Sequence, residues 1–149
     1  MSGRRRALGR AAAAAVFAFL AIQLVPYGRN PSNPPVVREA IWDSPRTAAL
    51  VEAACYDCHS NATRRPWYSR VAPASWLLER DVRAGREELN FSEMDREDNE
   101  VDKAAETVED GEMPPRRYAL LHADARLSEA ERRDLIAGLR RSLPAGRED

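Results

Sequence analysis

An all-α fold is predicted for this 149-residue chain by three observations. No stretch alternates apolar and polar residues with the two-residue period of a half-buried strand. Two segments place apolar residues at helical spacing: Val101, Ala104, Ala105 and Val108, then Leu135, Ile136, Leu139 and Leu143. Helix-start chemistry stands at Ser44-Pro45 and at Ser128 with Glu131, a capping-box pair. There is no internal repeat, and the length is one domain's worth.

The N-terminal segment stands apart from that domain. Arg4, Arg5, Arg6 and Arg10 precede Ala11 to Val25, an apolar run broken only by Gln23. A basic flank before an apolar run is the pattern of an export signal or a membrane anchor. A full span wants about 20 apolar residues, so the run is short for a span and long for a signal core. Val25-Pro26-Tyr27-Gly28 is a poor cleavage substrate, and Phe19 stands two positions before Ala21, so no A-x-A site follows. Residues 1–27 therefore read as an uncleaved anchor helix, with a cleaved signal as the alternative. The arginines then stay in the cytoplasm and everything after Val25 is exported. Residues 28–43 carry Pro31, Pro34 and Pro35 with Asn30 and Asn33, the composition of an extended linker.

The folded domain is expected over 44–143. Its first helix starts at Ser44-Pro45 and runs through Ala48, Leu50, Val51 and Ala54 directly into Cys55. Residues 61–71 read as a loop whose aromatic pair, Trp67 and Tyr68, walls a cofactor pocket or fills the core. Pro73 opens a second helix bearing Trp76, Leu77, Leu78 and Val82, reaching Leu89. A third is expected between Glu93 and Asp110, ended by Gly111. The last begins at Ser128 and stops at Pro144, leaving a short tail at 144–149.

A formal net charge of −1 gives no case for nucleic-acid binding. Its distribution is uneven, with acidic residues crowded between Glu87 and Glu112 and opposed locally by Arg96 and Lys103. A solvated helix face explains such a run. A docking surface for a basic redox partner is the sharper alternative, acting on encounter rate more than affinity.

The chemistry lies in Cys55-Tyr56-Asp57-Cys58-His59, which holds both cysteines and one of the two histidines. This C-x-x-C-H spacing is what covalent haem attachment needs. Residues three apart share a helical face, so both thiols reach the two vinyl groups along one porphyrin edge. The following histidine is carried under the iron as an axial ligand. A zinc site would want four protein ligands, and His122 is the only other imidazole, with no further cysteine. A redox dithiol follows a strand in a βαβ pattern, and none precedes Cys55. One covalent haem c is the expected cofactor, with Cys55 and Cys58 as its links and His59 as proximal ligand.

Three residues compete for the opposite face of the iron: Met94, Met113 and His122. Met113 lies between Gly111 and Pro114-Pro115, in an irregular loop suited to reach inward. Met94 stands near a helix start, where packing is the better use. His122 is the alternative distal ligand, and an open face remains a third outcome. Thioether ligation raises the potential, whereas an open face permits gas binding.

These residues resemble the bacterial haem-binding domain family of small membrane-anchored cytochromes. The likeness runs from about Val25 to Leu139. It rests on Asn33-Pro34-Pro35-Val36, Cys55 through Asn61, Pro66-Trp67-Tyr68-Ser69 and Ala72-Pro73-Ala74-Ser75-Trp76. It continues through Gly85 to Ser92, Gly111-Glu112-Met113-Pro114-Pro115, Tyr118, Leu121-His122 and Leu127-Ser128. The resemblance implies a class I cytochrome c-like helical domain with one haem, His59 proximal and Met113 distal. The family usually has tryptophan where this chain has Met94, which weakly raises Met94 as a rival ligand.

The expected protein is thus a monohaem electron carrier rather than an enzyme. It would be tethered by a single pass to the bacterial cytoplasmic membrane, its haem domain outside, serving an unidentified redox partner. A haem-based sensor or gas-binding module, and a haem subunit of a larger oxidoreductase, are the alternatives.

Overall fold

The structure, a computed structural model, describes residues 2–29 and 32–143. The described residues are all-helical. They form α1 (Ser2–Ile22), α2 (Pro45–Ala54), α3 (Tyr56–His59), α4 (Ala74–Glu88), α5 (Lys103–Glu109), α6 (Arg116–Leu121) and α7 (Glu129–Ser142). Two 3-10 turns lie at Trp67–Arg70 and Ala123–Ala125, and a lone bridge joins Arg38 to Glu93. The expected tail, and Asn30 and Pro31 of the expected linker, lie outside the described residues. The chain divides into two units, Met1–Ser32 with Arg65–Asp81 and Asn33–Arg64 with Val82–Asp149.

In the first unit, α1 takes in the four arginines as well as the apolar run. Its apolar part, Ala11 to Ile22, is about 18 Å long at 1.5 Å per residue, against a hydrocarbon core of about 30 Å. Among the described residues no helix is long and apolar enough to cross a membrane. The expected spanning anchor helix is therefore not found. The helix stops early because Gln23 and Leu24 bond back only three residues, to Leu20 and Ala21, and Pro26 has no N–H to continue. Gln23 itself has a structural use. Its carboxamide accepts from Ala72 N–H at 3.0 Å and donates to Ala72 C=O at 2.9 Å, satisfying both backbone groups of a fully buried residue.

In the second unit, α7 packs against α5 and α2. Leu50, Val51, Leu89, Phe91, Val108, Leu135 and Leu139 form the core. The caps read from sequence are present: Ser44 Oγ accepts from Thr47 N at 3.1 Å, and Ser128 and Glu131 bond reciprocally. Where α2 and α7 meet, a Cβ on Gly138 would lie 2.2 Å from Thr47 Oγ1, so only glycine admits this approach.

Three elements differ from expectation. α5 is confined to Lys103–Glu109, because residues 93–102 turn instead: the Asn99 side chain accepts from Asn90 N–H and donates to Glu93 C=O. α6 was not expected at all; six residues are too few to show a period. From Asn33 onward the expected linker is not a free spacer, for Asn33 bonds Thr63 and Arg86, and Pro35 C=O accepts from Asn61. Val37 and Arg38 N–H both reach Ser92 C=O, and Ala40 N–H reaches Phe91 C=O at 2.8 Å.

Candidate functional site

Cys55 is the pivot of the site. It ends α2, where its N–H still bonds Val51 C=O at 2.8 Å, but its own φ of −125° leaves the helix. Its carbonyl then accepts from both Cys58 N–H (3.1 Å) and His59 N–H (2.9 Å). One peptide oxygen thereby gathers Cys55, Cys58 and His59 into a single turn. The expected continuous helix into the motif is in fact two helices joined at Cys55. Both cysteines are half-buried thiols outside any disulfide. Dense surroundings push the Cys55 thiol up to about 12, with the nearby Cys58 adding to the effect.

The imidazole of His59 is oriented by backbone. Its Nδ1 lies 3.0 Å from Leu89 C=O. A carbonyl can only accept, so Nδ1 carries the proton and Nε2 carries the lone pair. Burial lowers the proton affinity of His59 below its ordinary value, while the Leu89 and Gly85 carbonyls and the charge of Glu88 pull the other way. Burial, the largest of these effects, favours the neutral ring. Phe91 N–H, in turn, donates to His59 C=O at 2.8 Å. The segment 89–91 thus grips His59 at both its ring and its backbone.

The loop after the motif closes back on it. Ser60 Oγ donates to Tyr56 C=O (2.7 Å) and Thr63 Oγ1 to Asp57 C=O (2.8 Å), capping carbonyls that α3 leaves open. The buried Asp57 carboxylate accepts from Arg64 N–H at 2.9 Å, from the Arg64 guanidinium at 3.1 Å, and from Tyr118 Oη at 2.6 Å. Asn61 is a second fastener. Its amide donates to Pro35 C=O and Glu93, its oxygen accepts from Asn90, and its N–H reaches Ser92 Oγ. Arg86 on α4 donates to Ser60 C=O at 2.8 Å and to Thr63 Oγ1 at 3.0 Å. Gly85 lies so near the motif that a Cβ there would stand 2.6 Å from Cys58 C=O.

The remaining candidates fall as follows. Met113 is half-buried against the core, its N–H on Thr107 C=O at 3.1 Å, and Met94 packs against the same core. His122 follows α6, its ring stacked on Tyr118 at 4.0 Å and its Nδ1 3.0 Å from Tyr118 C=O. Through Tyr118 it connects to Asp57 of the motif. Trp67 and Tyr68 belong to the other unit, edge to face at 5.9 Å, and Trp67 is 80 % exposed rather than filling the core there. Asp57, Arg64, Asn61, Asn90 and Tyr118 were missed as site residues. For all but Arg64, the only signal was membership of the motifs that carry the family likeness.

A lone-pair nitrogen and two thiols in one turn suit a porphyrin iron, and the sequence model of a haem-binding domain matches residues 17–141. The chain belongs to the haem-binding domain family. No curated protein and no solved structure is a match to it. Haem is therefore the cofactor that family membership assigns, and the residues present fit it. The Nδ1–carbonyl bond is the second-shell arrangement that metal-bound histidines adopt. In this haem-binding domain His59, its orienting Leu89 carbonyl and both thiols belong to one unit.

Proposed function

We propose that the chain is a monohaem c-type cytochrome that carries single electrons outside the cytoplasm. The observation that carries this reading is the His59 Nδ1–Leu89 bond, which presents Nε2 in the same turn as two free thiols. Each thiol, Cys55 and Cys58, would add across one haem vinyl group, S–H joining C=C with nothing lost and no oxidant needed. His59 would be the proximal ligand and Met113 the distal one, with His122 as the alternative. Bound haem supplies the one-electron chemistry. The chain's residues would hold it, set its ligand field and exclude water.

The N-terminal segment is proposed to export the domain and keep it at the membrane. Its large apolar residues support this: Leu8, Phe17 and Leu24 are exposed, Phe17 at 75 %. With an apolar part of about 18 Å, α1 would seat in one leaflet or at the interface unless it lengthens there. The acidic residues between Glu87 and Glu112 would face an unidentified basic redox partner, an encounter that weakens as salt rises.

The test is spectral and chemical. The full chain, matured in a host competent for c-type haem ligation, should carry one haem that denaturation does not release. Cys55→Ser with Cys58→Ser should abolish it. The ferrous form should be low-spin and refuse carbon monoxide until Met113→Ala opens the distal side, while His122→Ala leaves it unchanged. A high-spin ferrous form that takes up carbon monoxide without mutation would remove Met113 as ligand and favour gas sensing.

A further inference from the structure

In the second unit, α6 (Arg116–Leu121) is a helix without a buried residue. Leu120 is 74 % exposed and Leu121 69 %. Among the described helical residues of that unit, these two are the large apolar side chains left in the open.

The way α6 is mounted decides which side faces outward. Tyr118 turns toward the attachment motif, its Oη donating to Asp57 Oδ2 at 2.6 Å, and it stacks on His122. At about 100° per residue, Arg116 and Leu120, two positions before and after Tyr118, lie on the opposite side. They are also four apart, as are Arg117 and Leu121, so each leucine has an arginine one turn earlier on its own face. Arg126 is brought to the same end of the helix. Its guanidinium donates to Ala119 C=O at 2.8 Å and to Leu120 C=O at 2.9 Å. Neither Arg116 nor Arg126 has an ion pair among the described residues. No acidic residue stands between Met113 and Ala123, and the bounding Glu112 and Asp124 are outnumbered by Arg116, Arg117 and Arg126.

Whatever covers this surface must be apolar at one depth and anionic at another. A basic protein, the partner proposed for the acidic run, does not suit it. An acidic protein would need more surface, since a stable interface buries about 800 Å² per partner and two leucines offer a fraction of that. A lipid surface asks only for a few apolar side chains that dip past anionic headgroups and for cations beside them. We propose that α6 seats on an anionic lipid bilayer, with Leu120 and Leu121 entering the boundary of headgroups and acyl chains and Arg116 and Arg126 meeting phosphates. The proposal rests on neither the haem assignment nor the role of the N-terminal segment.

The test uses the full, haem-loaded chain, oxidised and carrying 13C-methyl leucine, mixed with an excess of lipid nanodiscs with and without doxyl-labelled lipid. Leu120→Ile and Leu121→Ile identify the two sets of signals. The expected result is broadening of the Leu120 and Leu121 methyls, but not of buried Leu135, on discs containing phosphatidylglycerol. On pure phosphatidylcholine discs the broadening should be much weaker. Arg116→Gln should lower the lipid-bound fraction of α6 about fivefold, and Leu120→Ser should remove the broadening at Leu121. Methyls that stay sharp on both kinds of disc overturn the proposal, whether water or haem is what they face. Equal broadening on both kinds, unchanged in Arg116→Gln, overturns it as well, because tethering alone then enforces the contact. The comparison of lipids needs no variant and decides alone should a substitution unfold α6. Co-elution of chain and discs reports separately on the N-terminal segment, so the two readings fail independently.

Discussion

At the scale of single residues, Asp57 shows how much a motif depends on its intervening positions. It lies between the two cysteines and was silent in the sequence, yet its carboxylate collects Arg64 and Tyr118. Burial, and then the bond to Asp57, raise the Tyr118 phenol well above its ordinary range. Tyr118→Phe should cost about 1–2 kcal/mol of stability, since a hydrogen bond to a charged group is lost while Arg64 remains. Chemical denaturation of the full chain measures it. Gly85 sets a second test in which two effects oppose. Alanine would gain roughly 1 kcal/mol in helix propensity. Its Cβ, however, would press on Cys58 C=O, main chain that cannot rotate away, at a cost of about 1–3 kcal/mol. The clash should win. Gly85→Ala is expected to lower the yield of haem-loaded chain and its unfolding midpoint together.

At the scale of elements, α2 and α7 were legible because each announces itself twice, by a cap and by an apolar stripe. α5 lies inside its expected window but its start was not legible, because Asn99 spends the backbone groups of Asn90 and Glu93 on a turn upstream of it. α6 was invisible because it is shorter than any period that could reveal it. The meeting of α2 and α7 supplies a prediction of its own. Thr47 is β-branched and stiff, so Gly138→Ala should destabilise by about 1–3 kcal/mol. Thr47→Ala should recover part of that loss when combined with it, a coupling that a double-mutant cycle in denaturant reads directly.

For the whole molecule, acid sensitivity follows from carboxylates that tie elements together. The hydroxyl of Thr47 and the guanidinium of Arg141 hold Asp43 below the usual carboxylate range. The backbone N–H and hydroxyl of Ser128 do the same for Glu131. With the folded value depressed, each contribution is complete above the ordinary carboxylate pKa and fades as pH falls through the lower, folded one. Stability measured from about pH 5 down to about pH 2 should therefore drop, and Asp43→Asn should flatten that fall. The C-x-x-C-H motif was readable because its residues are contiguous. What surrounds it was not, because its partners are distant in sequence: Asp57 with Tyr118, Asn61 with Asn90. The acidic run likewise has a partner distant in sequence. It is opposed not only by its neighbours but by Arg140 of α7, which pairs with Glu109.

The acceptor that orients His59 is the main-chain oxygen of Leu89. No side-chain substitution at position 89 can delete it, so drift there changes packing and leaves the tautomer intact. A catalogue of point variants would therefore find the ring's orientation insensitive at Leu89 itself. It would find sensitivity instead at Asn90, Asn61 and Asn99, which fix the path of that backbone and so how close the oxygen comes to the ring. Under the proposed His59 ligation these asparagines would be handles on reduction potential, adjustable without touching any atom bound to iron.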